Sequence, residues 1–153
     1  MARLADIPEP TRTACDTLPC PAFERTPFVA GPALSQRRVA IVSSAALIER
    51  GDKPFAIGSA DFRELSSSFN SADILISHVS INFDRAGYQR DLNVVYPIDR
   101  LRELAADGVI GSVADKHYTV MGSTDPATMV ETADRMAAAL HADHVNAVVL
   151  LPV

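Results

Sequence analysis

The apolar and polar positions of this chain fall into a regular order only from Arg38 onward. Val39-Ala40-Ile41-Val42 is a short, unbroken apolar run rich in β-branched residues, the pattern of a strand covered on both faces. Ser43 and Ser44 end it, at the tip where open α/β sheets usually hold a ligand. Gly51, Asp52, Pro54 and Gly58 mark 49–61 as a turn-rich connection. Ala72-Asp73-Ile74-Leu75-Ile76-Ser77-His78 predicts a second strand that closes on polar residues. From Ser80 to Val95 the chain is polar and irregular, which predicts a long loop. Pro97 opens a helix in which Leu101, Leu104 and Ala105 recur at helical spacing, and Gly108 stops it. Tyr118-Thr119-Val120-Met121 suits a short strand. Asp125-Pro126 supplies the cap and first turn of a second helix, with Met129, Val130, Ala133, Met136, Ala137 and Leu140 on one face. Ala147-Val148-Val149-Leu150-Leu151 predicts a last strand, again of the buried type.

This order predicts a three-layer α/β domain, its sheet mostly parallel and flanked by helices. The first 35 residues differ. Six of the ten prolines lie there (Pro8, Pro10, Pro19, Pro21, Pro27 and Pro32). Proline fixes φ and removes a backbone donor, so the stretch is expected to be neither regular helix nor central strand. It reads as an extended arm, with Phe23 and Phe28 as its aromatic anchors, that packs along the domain or a partner. The organisation expected is therefore an arm over 1–35 and an α/β domain over 36–153.

Composition narrows the function classes. Apolar residues at 48% and charged residues at 22% suit an ordinary globular domain. A net charge of −5 with no basic stripe gives no footprint for nucleic acid. No apolar run is long enough to span a bilayer, and the start lacks a secretory signal, so a cytoplasmic protein is expected. Cys15 and Cys20 are spaced more widely than Cys-x-x-Cys and read as two ordinary thiols rather than a working pair. His141 and His144 share one side of a helix end, but no carboxylate or thiol block completes a metal site, and none is expected. Neither Gly-x-Gly-x-x-Gly nor Gly-x-x-x-x-Gly-Lys occurs, and Ser66, Ser67 and Ser68 form a polar run rather than a nucleophile elbow.

Val153 lies just past the tip of the last strand. In open α/β sheets the chemistry sits outside the carboxyl ends of the strands, and a buried parallel strand normally leads into a covering helix. Two readings follow: a chain cut short before its working loop, or a short domain that ends on an edge strand.

Four blocks resemble the selenoprotein B family of the glycine, sarcosine, betaine and D-proline reductases. They are Arg38-Val39-Ala40-Ile41-Val42-Ser43-Ser44-Ala45, Ser77-His78-Val79-Ser80-Ile81-Asn82-Phe83-Asp84, Asp91-Leu92-Asn93-Val94-Val95-Tyr96-Pro97-Ile98-Asp99-Arg100-Leu101, and Gly108-Val109-Ile110-Gly111 running on to His117-Tyr118-Thr119-Val120-Met121-Gly122. Ala147 to Leu151 continues the match, whereas the proline-rich arm has none. The resemblance implies a selenol- or thiol-dependent reductase subunit that cleaves a small amino-acid-like substrate with dithiol electrons. It implies a selenocysteine or cysteine immediately after the strand that ends here, with a resolving cysteine nearby. Selenocysteine is encoded by a codon otherwise read as stop, so the resemblance favours a fragment lacking its nucleophile and probed by the codon after Val153. Partner reductase subunits follow from it as well, one of them carrying a pyruvoyl group; no cofactor is expected in this chain itself.

On that reading His78, His117 and Tyr118 are the supporting catalytic candidates. An imidazole at a strand end can stabilise an anion or move a proton near neutral pH, or else simply cap the strand. Asn82, Asp84, Asp91 and Asn93 are candidates to hold a substrate amine or carboxylate, although Asx residues also satisfy a loop's own turns. Asp99 at a helix start complements the dipole. The alternative function is a non-catalytic binding or assembly module whose arm contacts a partner. A bare apolar last strand further predicts homo- or hetero-oligomers or low solubility.

Overall fold

The computed structural model describes residues 4–17, 22, 24–25, 27–80, 83 and 85–153, the side chains of 4, 14 and 15 excepted. Strand β1 (Arg38–Ser43) is the axis of a mostly parallel sheet. Strands β5 (Ser112–Val113) and β6 (Lys116–Val120) pair its first and last residues, at Arg38↔Ser112 and Ser43↔Thr119, so they share one edge of β1. Strand β7 (Ala147–Leu151) runs along the other edge from Val39↔Ala147 to Ser43↔Leu151. All three pairings are parallel, and β3 (Phe62–Ser66) adds an antiparallel strand outside β6.

Alternation along β1 sends its side chains to two different helical layers. Val39 and Ile41 pack with Val95, Tyr96, Ile98, Leu101 and Ile110, under helix α3 (Ile98–Ala106) and its lead-in. Ala40 packs with Ala114, Val145 and Leu140 on the opposite side, under helix α4 (Val130–Ala142). The expected three layers are present, and the continuous apolar run of β1 is explained by cover on both faces.

Several elements depart from the sequence reading. The arm contains a helix, α1 (Thr11–Asp16), in the gap between Pro10 and Pro19. Proline ahead of a helix start costs no hydrogen bond. The Glu9 carboxylate accepts the Thr13 N–H (3.3 Å) and hydroxyl (2.7 Å) as well as the Arg12 guanidinium (2.8 Å). Cys20 and Phe23 lie outside the described residues. The predicted second strand is real but short, β4 (Ile74–Ile76), and stands outside the main sheet. It pairs antiparallel with the unforeseen β2 (Leu47–Glu49) as a separate two-stranded ribbon. The loop expected from Ser80 to Val95 holds a single-turn helix, α2 (Ala86–Arg90), and a 3-10 turn at Leu92–Val94.

Asp125 does cap, its carboxylate accepting the Ala127 N–H (2.9 Å), but over a 3-10 turn at Pro126–Met129; α4 proper starts at Val130. Its buried face centres on Thr132 and Met136, while Val130 is exposed. The last strand is not of the buried type. Leu150 is 70% and Val148 39% exposed, because β7 is paired on one side only and α4 stops short of covering it. A groove of about 340 Å³ is left there, lined by Val42, Met136, Leu140, Val148 and Leu150.

At the opposite end of the sheet, the Arg38 guanidinium donates to the Asp143 carboxylate (2.5 Å), the Asp143 carbonyl (2.7 Å) and the Val113 carbonyl (2.9 Å). This ties the start of β1 to the end of α4 and to β5. Burial works to raise the Asp143 pKa, but Arg38 and backbone donors together outweigh it and hold the carboxyl below the ordinary carboxylate range. The positions near it that hinted at a metal site serve the helix end: His144 adopts φ +55 and donates its N–H to the His141 carbonyl (3.0 Å).

Candidate functional site

Strands β1, β6 and β7 run parallel and finish together, which creates one carboxyl rim. Two serines organise it. Ser43 is fully buried, its hydroxyl donating to the Val95 carbonyl (2.8 Å) and accepting the Ala45 N–H (3.2 Å). Ser44 donates its N–H to the Leu151 carbonyl (3.0 Å), accepts the Gly122 N–H on its own carbonyl (3.0 Å), and accepts the Val153 N–H on its hydroxyl (2.8 Å). The chain then turns through Ala46, at φ +52, whose N–H donates to the Val120 carbonyl and whose carbonyl accepts the Ser77 N–H (2.9 Å). That last bond brings His78 to the rim.

His78 is buried, with its ring stacked on Phe83 at 4.7 Å. Its Nδ1 accepts the Ser80 N–H (3.2 Å), which puts the proton of the neutral ring on Nε2. The Arg85 guanidinium fastens the same loop by donating to the His78 carbonyl (2.8 Å) and the Ser80 carbonyl (3.4 Å). Burial, and then the Arg85 charge, hold the His78 pKa below the ordinary imidazole range. His78 is therefore a neutral ring whose buried Nε2 has no hydrogen-bond partner among the described residues. Such a ring can donate one hydrogen bond, and it is poorly suited to act as an imidazolium near neutral pH.

His117 and Tyr118 sit elsewhere. As neighbours on β6 they point to opposite faces of the sheet. His117 is fully buried on the α3 side, edge-on to Tyr96 at 5.5 Å, and its Nδ1 accepts the Ile41 N–H (3.0 Å). That N–H faces the break between β5 and β6, so an imidazole nitrogen fills the place of a carbonyl in the ladder. Burial, with the Arg102 charge adding to it, pushes the His117 pKa down to about 4. Tyr118 lies edge-on to Phe62 at 5.4 Å, and burial raises its hydroxyl pKa. No hydrogen bond or ring contact among the described residues joins either of them to His78.

The Asx candidates form a closed local network. Asp91 Oδ1 accepts both the backbone N–H and the side-chain amide of Asn93 (2.9 Å each). The Asn93 amide also donates to Asp99 (3.0 Å), while its oxygen accepts the Asp99 N–H (3.1 Å). Bonds from Asn93 hold the Asp91 pKa low, and those from Asn93 and Arg102 do the same for Asp99. The cluster fixes the approach to α3, as the turn reading of these residues anticipates. Asn82 and Asp84 lie outside the described residues. Sequence reasoning put Ser43 and Ser44 at the strand tip but gave them no role, and it named Gly122 only as the end of the fourth block. A Cβ at Gly122 would stand 2.7 Å from the Ser44 carbonyl, a constraint that appears only once β6 is laid against β1.

Fold and rim define a mixed α/β protein whose candidate site lies at the carboxyl edge of a mostly parallel sheet. The chain belongs to the glycine/sarcosine/betaine reductase selenoprotein B family, whose model matches residues 12–152. The resemblance carried by the four sequence blocks is thereby borne out, and the match also takes in most of the arm, for which the sequence reading found none. The chain is 34% identical over 148 residues to the glycine reductase complex component B subunit gamma of Carboxydothermus hydrogenoformans, covering 87% of this chain and 32% of that one. It is 30% identical over 120 residues to the D-proline reductase subunit gamma of Acetoanaerobium sticklandii, covering 76% and 49%. It is 34% identical over 116 residues to the sarcosine reductase complex component B subunit beta of Peptoclostridium acidaminophilum, covering 69% and 25%. The chain thus spans between a quarter and a half of the length of these relatives. No solved structure matches at a comparable level. Among the described residues no helix is long and apolar enough to cross a membrane.

Proposed function

We propose that this chain is the sheet-forming part of a selenol- or thiol-dependent reductase subunit that acts on a small amino-acid-like substrate in the cytoplasm. Family membership supports the reductase class, and the relatives' names supply glycine, sarcosine and D-proline as substrates to try. The observation that carries the reading is the bond from the Val153 N–H to Ser44, which brings the chain past β7 to the carboxyl rim beside the strand ends. The reading puts the nucleophile immediately after Val153. A selenol or thiol there would supply a low-pKa anion able to attack the substrate, returned to its reduced form through a second thiol and an external dithiol.

The chain's own residues would shape the surroundings. Ser44 holds the backbone, and Ser43 fixes the strand tip to residue 95. His78, neutral, offers an Nε2–H to an acceptor on the substrate or leaving group. The relatives' names also favour partner subunits, and the pyruvoyl group that the family resemblance implies is assigned to one of them. The second reading, a non-catalytic assembly module, draws on the exposed Phe28 and Val29 of the arm, 89% and 84% accessible.

Two measurements decide. Coding DNA past codon 153 is expected to read TGA, followed by an in-frame cysteine and more α/β sequence; any other stop defeats the fragment reading. A longer product with selenocysteine or cysteine after Val153, supplied with its partner subunits and dithiothreitol, is expected to cleave a C–N bond at the expense of the dithiol, releasing ammonia from glycine or methylamine from sarcosine or opening the ring of D-proline to a primary amine, while the 153-residue chain does not. Equal activity from both would dismiss the missing nucleophile.

A further inference from the structure

We infer that Ser44 is the positioning residue of the rim, its hydroxyl standing in for a backbone acceptor so that the chain leaving β7 is aimed along the end of β1. The argument starts from the ladder. In the parallel pairing of β1 with β7, the odd-numbered residues of β7 turn both backbone groups toward β1, as the bond from the Ser44 N–H to the Leu151 carbonyl requires. Continued by one step, the same register would give the Val153 N–H to the carbonyl of Ser44. That carbonyl is already taken from the other side, by the Gly122 N–H beyond β6.

A plain strand end would leave Val153 unheld, since Pro152 has no N–H to contribute either. The Ser44 hydroxyl supplies the missing acceptor at 2.8 Å. Three backbone and side-chain groups of this one residue thus hold the ends of both neighbouring strands. Gly122 completes the device. Its Cα lies so close to Ser44 that a methyl group there would meet the carbonyl at 2.7 Å and the hydroxyl at 3.1 Å. Alanine or valine at position 44 would keep the strand and lose the aim.

The inference rests on the proposed function only for its consequence, that the residue after Val153 is the one being aimed. Its structural half is tested on the 153-residue chain by amide exchange and relaxation NMR. In the wild type the Val153 amide is expected to be ordered and protected. Ser44→Ala is expected to speed its exchange about fivefold, the worth of one ordinary hydrogen bond, with the Ile41 and Val149 amides unchanged. Ser44→Thr is expected to restore protection, and Gly122→Ala to lower it with the hydroxyl still present. A Val153 amide indifferent to Ser44→Ala would overturn the inference, as would equal acceleration at Ile41, which would mark a general loss of stability.

The functional half uses the longer subunit with its partners. Ser44→Ala is expected to lower kcat about tenfold at unchanged KM, as misplacement of a reacting group does, and Ser44→Thr to recover it. A mobile Val153 with unchanged kcat would overturn the positioning role. A wild type with no reductase activity would sink the functional reading while leaving the exchange result to decide the anchor.

Discussion

The two flanks of β1 meet the same difficulty and solve it with different chemistry. On one flank the neighbouring strand is broken between β5 and β6, and the Ile41 N–H is received by the His117 imidazole. On the other, β7 runs unbroken until the ladder fails at its end, and the Val153 N–H is received by the Ser44 hydroxyl. His117 is fully enclosed, whereas Ser44 is half-buried at an open rim. A substitute acceptor inside the core carries stability, because nothing else can reach the donor it serves. At the rim water competes for the same donor, so the bond decides direction more than stability.

The largest effect that would break this comparison is expected from His117→Ala. It removes a packed ring and orphans the Ile41 N–H, so the loss should be about 3–5 kcal/mol in chemical denaturation. A cost below about 1 kcal/mol, the level of a surface change, would mean that the break in the strand is tolerated without a substitute.

Acid sharpens the same point. His117 titrates near 4 in the folded chain against 6.5 for a free imidazole. The unfolded chain therefore takes up its proton first. The contribution is whole above pH 6.5, falls as pH drops toward 4, and changes no further below that. Its full size is roughly 3 kcal/mol. The slope of stability against pH over this window should flatten in His117→Gln, and an unchanged slope would assign the acid sensitivity to other groups.

Ser44→Ala should cost only about 1 kcal/mol, in line with a hydrogen bond that water can replace. Leu150→Ser, on the exposed face of β7, should change stability by less than about 0.5 kcal/mol. It should nonetheless reduce self-association of the isolated chain on size exclusion, because it interrupts the apolar strip beside the groove. An unchanged elution profile would remove β7 as the cause of any oligomer.

What could be read from the chain in advance follows from how local each signal is. Val39 to Val42 and the helix that Leu101 and Ala105 announce before Gly108, at φ +71, are legible within a few residues and take their place in the fold. The α4 stripe, by contrast, foretells the helix but not its buried face, since Val130, Ala133 and Ala137 stay exposed. β3 escaped because Phe62-Arg63-Glu64-Leu65-Ser66 buries only Leu65 fully and earns its pairing from partners such as Lys116, whose amine meets Glu64 at 2.6 Å. β2 is three residues long and resembles a continuation of β1. The chemistry of the candidate site was least legible. His78 could be put at a strand end, but its neutral state depends on Ser80 and Arg85 folding back over it. The task of His117 depends on an N–H that lies 76 positions away in the chain. No window of sequence contains such a pairing.

The layout of the sheet also carries a consequence for how the protein is made. The most extensively paired neighbour of the axial strand is made long after it, with Ser44 and Val153 separated by 109 positions. Until β7 is made, β1 must wait with one side open. Contacts of such long range make for slow folding and for exposure to unwanted pairing in the meantime. The nascent polypeptide should accordingly depend on chaperones until β7 emerges and docks.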